Sequence, residues 1–121
     1  MKVSTLVVFV TFLAVLTGLV IAGTEEKFGV AVYPGAKLDA ETTKVVVQMS
    51  TGGAGCYRTG DGIAKVVEFY KKQPGLEYMG GDKVGAMLKK GKVDVTIQSP
   101  WMDMKTGKKN SDTLISIVNQ K

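Results

Sequence analysis

The sequence predicts an α+β fold in which one amphipathic helix, at about residues 61–73, packs on an antiparallel sheet of about five to six short strands. Two observations indicate this class. Apolar residues recur at helical spacing most clearly in that one segment, and in most of the remaining chain they alternate at the period of a strand. A helix with a single apolar stripe is stable when that stripe lies on one face of a sheet.

An apolar run at the N-terminus separates the chain into two parts. Lys2 is followed by residues 3–22, which carry no charge and end in the small residue Ala22. A positive start, a long apolar run and a small residue at its end are typical of a secretory signal peptide. We therefore predict a signal peptide at 1–22 and a single extracytoplasmic domain, periplasmic or secreted, at 23–121. A retained single-span membrane anchor is the alternative, because about 20 apolar residues can cross a bilayer.

The composition argues against several classes of function. The 121 residues contain no histidine, which is the commonest general base and metal ligand, and only one cysteine, so no disulfide can form within the chain. Residues 23–121 contain 15 Lys and Arg against 11 Asp and Glu, a net charge of +4, which is too small to indicate nucleic-acid binding. No catalytic residue, cofactor or metal site is predicted.

Three strands are predicted before the helix. Residues 28–33 alternate at strand period and end at the turn Pro34–Gly35. Residues 45–49 alternate in the same way and predict a second strand. The glycines of 50–55 favour a turn, after which residues 56–59 return as a third strand in a hairpin.

The helix is the clearest element of the sequence. Asp61 is a predicted N-cap, because its carboxylate can accept hydrogen bonds from the free amides of a first turn. Pro74 ends the helix, because it disfavours helical geometry in the residue before it. The apolar stripe between them consists of Ile63, Val66, Val67 and Tyr70.

The C-terminal half is predicted to be a run of strands. Leu76–Met79 and Val84–Leu88 fit strands, although the second also fits a helix. Val93–Gln98 alternates most cleanly, and Leu114–Val118 is apolar on both faces, which is typical of a central strand. Between these last two, Trp101–Asn110 is a polar and basic loop.

Three phrases of this sequence together resemble a family of small bacterial secreted or lipid-anchored α+β domains, most of them uncharacterised. They are YPGA at 33–36, YxTxD at 57–61 and VxxFYK at 66–71, and the resemblance covers about 28–118. It implies a bacterial extracytoplasmic domain with a helix on an antiparallel sheet, and it implies no catalytic residue. This chain departs from the family pattern in having no lipid-anchor cysteine and a longer loop at 101–110.

The loop after Gln98 is the best candidate binding surface. It places a tryptophan and two methionines in a segment that is otherwise polar, so their apolar surface either caps the open end of the core or contacts a partner. The lysines of this loop and those at 89–92 lie at opposite ends of the predicted Val93–Gln98 strand, which disfavours one basic patch. The candidate partner-binding residues are Trp101, Met102, Met104, Lys105, Lys108 and Lys109.

Three functions follow from these features as hypotheses. The first is a non-enzymatic binding or accessory module of the bacterial envelope, whose partner is an unknown envelope protein or anionic component. The second is a redox or enzymatic activity of Cys56, a candidate reactive thiol whose alternative role is packing in a strand. The third is electrostatic binding of an anionic envelope polymer or lipid through the lysine turns.

Overall fold

A computed structural model describes residues 25–121, so the predicted signal or anchor segment at 1–22 lies outside the described residues. No helix in 25–121 is both long and apolar enough to cross a membrane. The elements in chain order are β1 (Glu26–Lys27), β2 (Val30–Ala31), β3 (Lys37–Leu38), α1 (Ala40–Gln48), β4 (Ala54–Thr59), α2 (Ile63–Lys71), β5 (Glu77–Gly81), β6 (Gly85–Lys90), β7 (Val93–Gln98), β8 (Trp101–Met102), β9 (Lys109–Asn110) and β10 (Thr113–Asn119).

Six of these strands form one antiparallel sheet in the order β3–β4–β10–β7–β6–β5. The two helices lie on its opposite faces. The predicted α+β class is therefore confirmed, with two helices in the described residues where the sequence predicted one.

Helix α2 covers the main core, as its apolar stripe predicts. Val66 and Tyr70 are fully buried against side chains of β6, β7 and β10. The Tyr70 hydroxyl donates a hydrogen bond to the Ala31 carbonyl (2.8 Å) and accepts one from the Tyr33 amide (3.0 Å). These two bonds offset the cost of burying the hydroxyl. The strand residues beneath the helix include Leu88, Val95, Ile97, Ile115 and Ile117.

The predicted start of this helix is wrong. The N-cap is Gly62, which has no side-chain bond to offer, and the helix spans Ile63–Lys71 and not 61–73. Asp61 instead turns its carboxylate toward the main core, where Oδ2 accepts a hydrogen bond from the Tyr33 hydroxyl at 2.6 Å. Asp61 therefore bonds to a residue distant in the sequence and does not cap the helix.

The strand predicted at 45–49 is also wrong, because this segment lies in α1. Asp39 caps the helix, since its Oδ1 accepts a hydrogen bond from the Thr42 amide at 3.1 Å. Val46 packs against Cys56 on the sheet face opposite α2. Three successive valines favour a strand by propensity, but a good cap and this tertiary contact outweigh that weak preference.

Two further predictions near the N-terminus need correction. Residues 28–33 do not form one strand, because Phe28 (φ 55°) and Gly29 (φ 81°) make a two-residue turn between β1 and β2. Positive φ at both central residues is the geometry that joins tightly paired strands. The strand predicted at 56–59 begins earlier, at Ala54, and pairs with β3 and β10, so the predicted hairpin with 45–49 does not exist.

The C-terminal strands are confirmed. Leu76–Met79 corresponds to β5 and Val84–Leu88 to β6, so the helical alternative for the latter is excluded. Strand β10 lies between β4 and β7, and its residues from Thr113 to Ile117 are all buried. A strand covered on both faces requires apolar residues at successive positions, which is why this one was recognisable from its sequence.

Candidate functional site

The predicted loop after β7 is an ordered hairpin, β8–β9. Trp101 lies opposite Asn110 in its register. Asp103 closes the turn, because its Oδ1 accepts hydrogen bonds from the amides of Lys105 (2.8 Å) and Thr106 (3.2 Å). These bonds to the ionised form lower the pKa of Asp103. The hairpin is therefore held in one conformation by its own turn.

Trp101 anchors this hairpin to the sheet. Its side chain is only 4 % exposed and packs with Cys56 and Leu114. The indole Nε1 donates a hydrogen bond to Asp112 Oδ1 at 2.8 Å, and the Arg58 guanidinium lies 5.0 Å from the ring centroid. Of the two roles that the sequence leaves open for Trp101, the structure shows the capping one.

A charged network surrounds this anchor. Arg58 Nε donates a hydrogen bond to Asp112 Oδ2 at 2.8 Å, and Nη1 lies 3.5 Å from Asp39 Oδ2 at the start of α1. Burial alone would raise the pKa of Asp112, but the bonds from Arg58 and Trp101 outweigh it and hold the pKa below its usual range. No local sequence pattern indicated this network.

The hairpin also contacts α1 directly. Lys105 Nζ lies 3.0 Å from Glu41 Oε1 in the first turn of the helix. Hydrogen bonding to Lys105 lowers the pKa of Glu41. Both groups are exposed, so this pair contributes little to stability.

The outward side of the hairpin carries the remaining candidate residues. Met102 is 60 % exposed and Met104 is 61 % exposed. Lys108 and Lys109 are exposed as well, and neither forms an ion pair with any residue in 25–121. We call Met102, Met104, Lys108 and Lys109 the hairpin surface. Of the six candidates, Trp101 is thus excluded from this surface by burial, and Lys105 is already paired.

The lysines at 89–92 do not join this surface. They lie at the β6–β7 turn, at the other end of β7 from the hairpin. Lys89 Nζ is hydrogen-bonded to Asp94 (2.7 Å) and Lys90 Nζ to the Gly29 carbonyl (2.9 Å), so these two are already engaged.

Cys56 lies inside the protein, in β4. It is fully buried, and its Sγ lies 3.6 Å from Ser116 Oγ. Burial raises the pKa of the thiol, which disfavours the reactive thiolate. In the part of the chain that the structure describes, no group of three His, Cys, Asp or Glu residues could hold a metal ion.

The three phrases behind the family resemblance meet in space. Tyr33 of the first, Asp61 of the second and Phe69 of the third come together, with the Tyr33 and Phe69 rings edge to face at 5.2 Å. Burial, together with the bond to Asp61, raises the pKa of Tyr33 to about 12, so its phenol stays protonated. A shallow groove of about 730 Å³ lies beside these residues. The bond from the Tyr33 hydroxyl to Asp61 links the segment before β3 to the start of α2.

Comparison with known proteins assigns no family to this geometry. No protein-family model matches the chain, and comparisons with curated proteins and with solved structures return no match. The resemblance to the small bacterial secreted domains stays a prediction, and the candidate site depends on the geometry of the chain itself.

Proposed function

We propose that this chain is a non-enzymatic binding module of the bacterial envelope and that it engages a partner protein through the hairpin surface. The observation that carries the proposal is the exposure of Met102 and Met104 on a hairpin that Trp101 fixes to the sheet. Because the backbone of the hairpin is already ordered, it loses little conformational entropy when a partner covers it. Methionine is well suited to such contacts because its side chain is flexible and polarisable.

The charges of the surface indicate the chemistry of the partner. Lys108 and Lys109 adjoin the two methionines in the hairpin and have no carboxylate partner among the described residues. An interface with an apolar centre and a charged rim is typical of protein complexes that form and dissociate. We therefore propose a partner that presents acidic residues around an apolar contact.

The cellular location is part of the same proposal. It is supported by the uncharged apolar run at 3–22 and the single preceding lysine, Lys2, which fit a signal for export. The thiol alternative loses support because Cys56 is buried and its pKa is raised. The purely electrostatic alternative loses support because the lysines of the hairpin and of the β6–β7 turn lie at opposite ends of β7.

Site-specific photo-cross-linking tests this function. A photoreactive amino acid is placed at position 102 or 104 of the full-length chain in its native host, and at exposed position 92 as the control. We expect positions 102 and 104 to capture the same envelope protein and position 92 to leave it uncaptured. Identical products at all three positions, or none at 102 and 104, would contradict the proposal.

Charge reversal then tests whether the capture is specific. Lys108→Glu and Lys109→Glu should reduce the yield of the cross-linked product several-fold, because they repel an acidic partner. Lys92→Glu makes the same change of net charge at the far end of β7 and should leave the yield unchanged. Equal loss in all three variants would instead indicate non-specific attraction by net charge.

A further inference from the structure

The β5–β6 hairpin is a second place where apolar side chains face solvent. Nine large hydrophobic residues of 25–121 are exposed, and four of them lie on this hairpin. They are Tyr78, Met79, Val84 and Met87. Such clustering is uncommon on a monomer surface and marks candidate contact sites.

Strand β5 is also a free edge of the sheet. Within the described residues it pairs with β6 alone, so alternate backbone N–H and C=O groups along its outer side have no partner strand. Exposed edges are usually protected by charges, proline, short length or a bulge. Strand β5 is five residues long and has a bulge, but it has no proline and a single charge, Glu77 at its first position.

A groove runs between this edge strand and α2. Because α2 packs over β6 and β7, it leaves space above β5. The groove has a volume of about 410 Å³. Ile63 and Val67 line it from the helix, and Tyr78 and Ala86 line it from the strands. Tyr78 is 42 % exposed there and forms an aromatic wall.

Charged side chains of both signs line the groove. Lys71 Nζ lies 4.3 Å from the centroid of the Tyr78 ring, and Lys83 stands at the β5–β6 turn. Neither lysine forms an ion pair with a residue that the structure describes. Asp82 uses its Oδ1 to accept hydrogen bonds from two turn amides, both at 3.0 Å. Glu68 is the other carboxylate on the wall, so two lysines and two carboxylates line the groove and their formal charges balance.

We propose that β5 and this groove bind an extended segment of a partner protein, which adds to the sheet as a further strand. Main-chain hydrogen bonds to a free edge, with a pocket for alternate side chains, are a recurring mode of peptide recognition. One apolar side chain of the segment would enter the groove against Tyr78 and Val67.

The sheet face opposite the groove also bears on the proposal of an added strand. Tyr78 lies opposite Leu88 of the main core, so alternation along β6 places exposed Met87 on the other face of the sheet. The side chains of an added strand that alternate with those in the groove would lie on this face as well. The bulge between Tyr78 and Gly80 restricts the added strand to a few residues. This surface is separate from the hairpin surface and goes beyond the function proposed above.

Selection of peptides tests the proposal directly. The probe is a phage-displayed library of random linear peptides, selected on the chain produced from its complete coding sequence. An enriched peptide is then synthesised and titrated calorimetrically onto the wild type, Tyr78→Ser and Met49→Ser. We expect sequences with apolar residues at alternate positions, whose dissociation constant rises about tenfold in Tyr78→Ser and is unchanged in Met49→Ser, the exposed control outside both surfaces.

Amide hydrogen exchange locates the bound peptide. We expect slower exchange at backbone amides of β5 in the complex and no change in β8–β9. Four results would overturn the proposal: no enriched sequence, equal binding to Tyr78→Ser, protection outside β5, or a dimer that Tyr78→Ser dissociates, which would make a second copy the occupant. None of them affects the cross-linking at positions 102 and 104, so the two proposals fail independently.

Discussion

The two helices are equally long, at nine residues each, but they close the two faces of the sheet in different ways. Helix α2 buries Val66 and Tyr70 completely, whereas α1 buries no residue completely. Its contact with the sheet depends on half-buried Val46 and on Thr43, whose hydroxyl accepts a hydrogen bond from the Cys56 amide at 2.9 Å. The α2 face therefore supplies most of the stability.

The face that carries α1 is the one to which the β8–β9 hairpin is attached. Trp101 holds it there by packing with Cys56 and Leu114, and its bond to Asp112 at the edge of solvent adds to this contact. This cluster has three buried residues against twelve in the main core, so it buries less apolar surface. The comparison teaches that the candidate partner surface lies on the less stable face, where side chains can change without loss of the core.

The largest effect is expected where α2 meets the main core. Tyr70→Ala should lower the free energy of unfolding by about 3–5 kcal/mol, because it leaves a large cavity. Tyr70→Phe keeps the ring but leaves the Tyr33 amide and the Ala31 carbonyl without their partner, and should cost about 1–3 kcal/mol. Urea denaturation measures both. A smaller loss for Tyr70→Ala than for Tyr70→Phe would show that the α2 face is not closely packed.

A matched pair of valines compares the two faces directly. Val66→Ala should cost about 2 kcal/mol, because it removes fully buried methyl groups and leaves a cavity. Val46→Ala makes the same change in the half-buried contact of α1 and should cost less than about 1 kcal/mol. The two values come from urea denaturation under one set of conditions. Equal losses would remove the distinction between the faces.

The network at the base of the hairpin should give a smaller and pH-dependent effect. Asp112→Asn should lower the free energy of unfolding by about 1–2 kcal/mol at pH 7, because it weakens the bonds to Arg58 and Trp101. The pKa of Asp112 is lowered by folding, so its contribution is complete above about pH 5 and is lost as the pH falls below about 4.

The difference in stability between wild type and Asp112→Asn should therefore shrink between pH 7 and pH 3. Denaturation curves at both pH values measure it, and the fluorescence of Trp101, the single tryptophan, reports on the hairpin base. A difference that grows toward acid would mean that the carboxylate is stabilised in its neutral form, against the lowered pKa.

The smallest expected effect concerns the reactivity of Cys56, which lies beneath α1. A thiol reagent should modify the native protein far more slowly than the urea-unfolded chain, because the side chain is buried. Local opening of α1 is the expected route of access. Val46→Ala should then speed modification a few-fold, and more than Val66→Ala does, although Val66→Ala costs more global stability. The reverse order would place the opening at α2.

The sequence determined the elements whose evidence lies in neighbouring residues. The stripe of α2, the clean alternation of β7 and the apolar run of β10 each identify one element, because one packing partner imposes one period. The β6–β7 turn precedes β7 and the β8–β9 hairpin follows it, so the prediction of β7 alone places them at opposite ends of this strand. The sequence also led to the hypothesis that apolar side chains of the polar loop, among them Met102 and Met104, contact a partner.

Tertiary structure decided the rest. Three valines at 45–47 favour a strand, but the cap at Asp39 and the space beside Cys56 make the segment helical. Trp101 is buried because Asp112 and Arg58 surround it, and those two residues stand 54 positions apart in the chain. Local patterns record the period of an element. Which polar group finds a partner, and which apolar surface stays open, depends on contacts between distant segments that no local pattern contains.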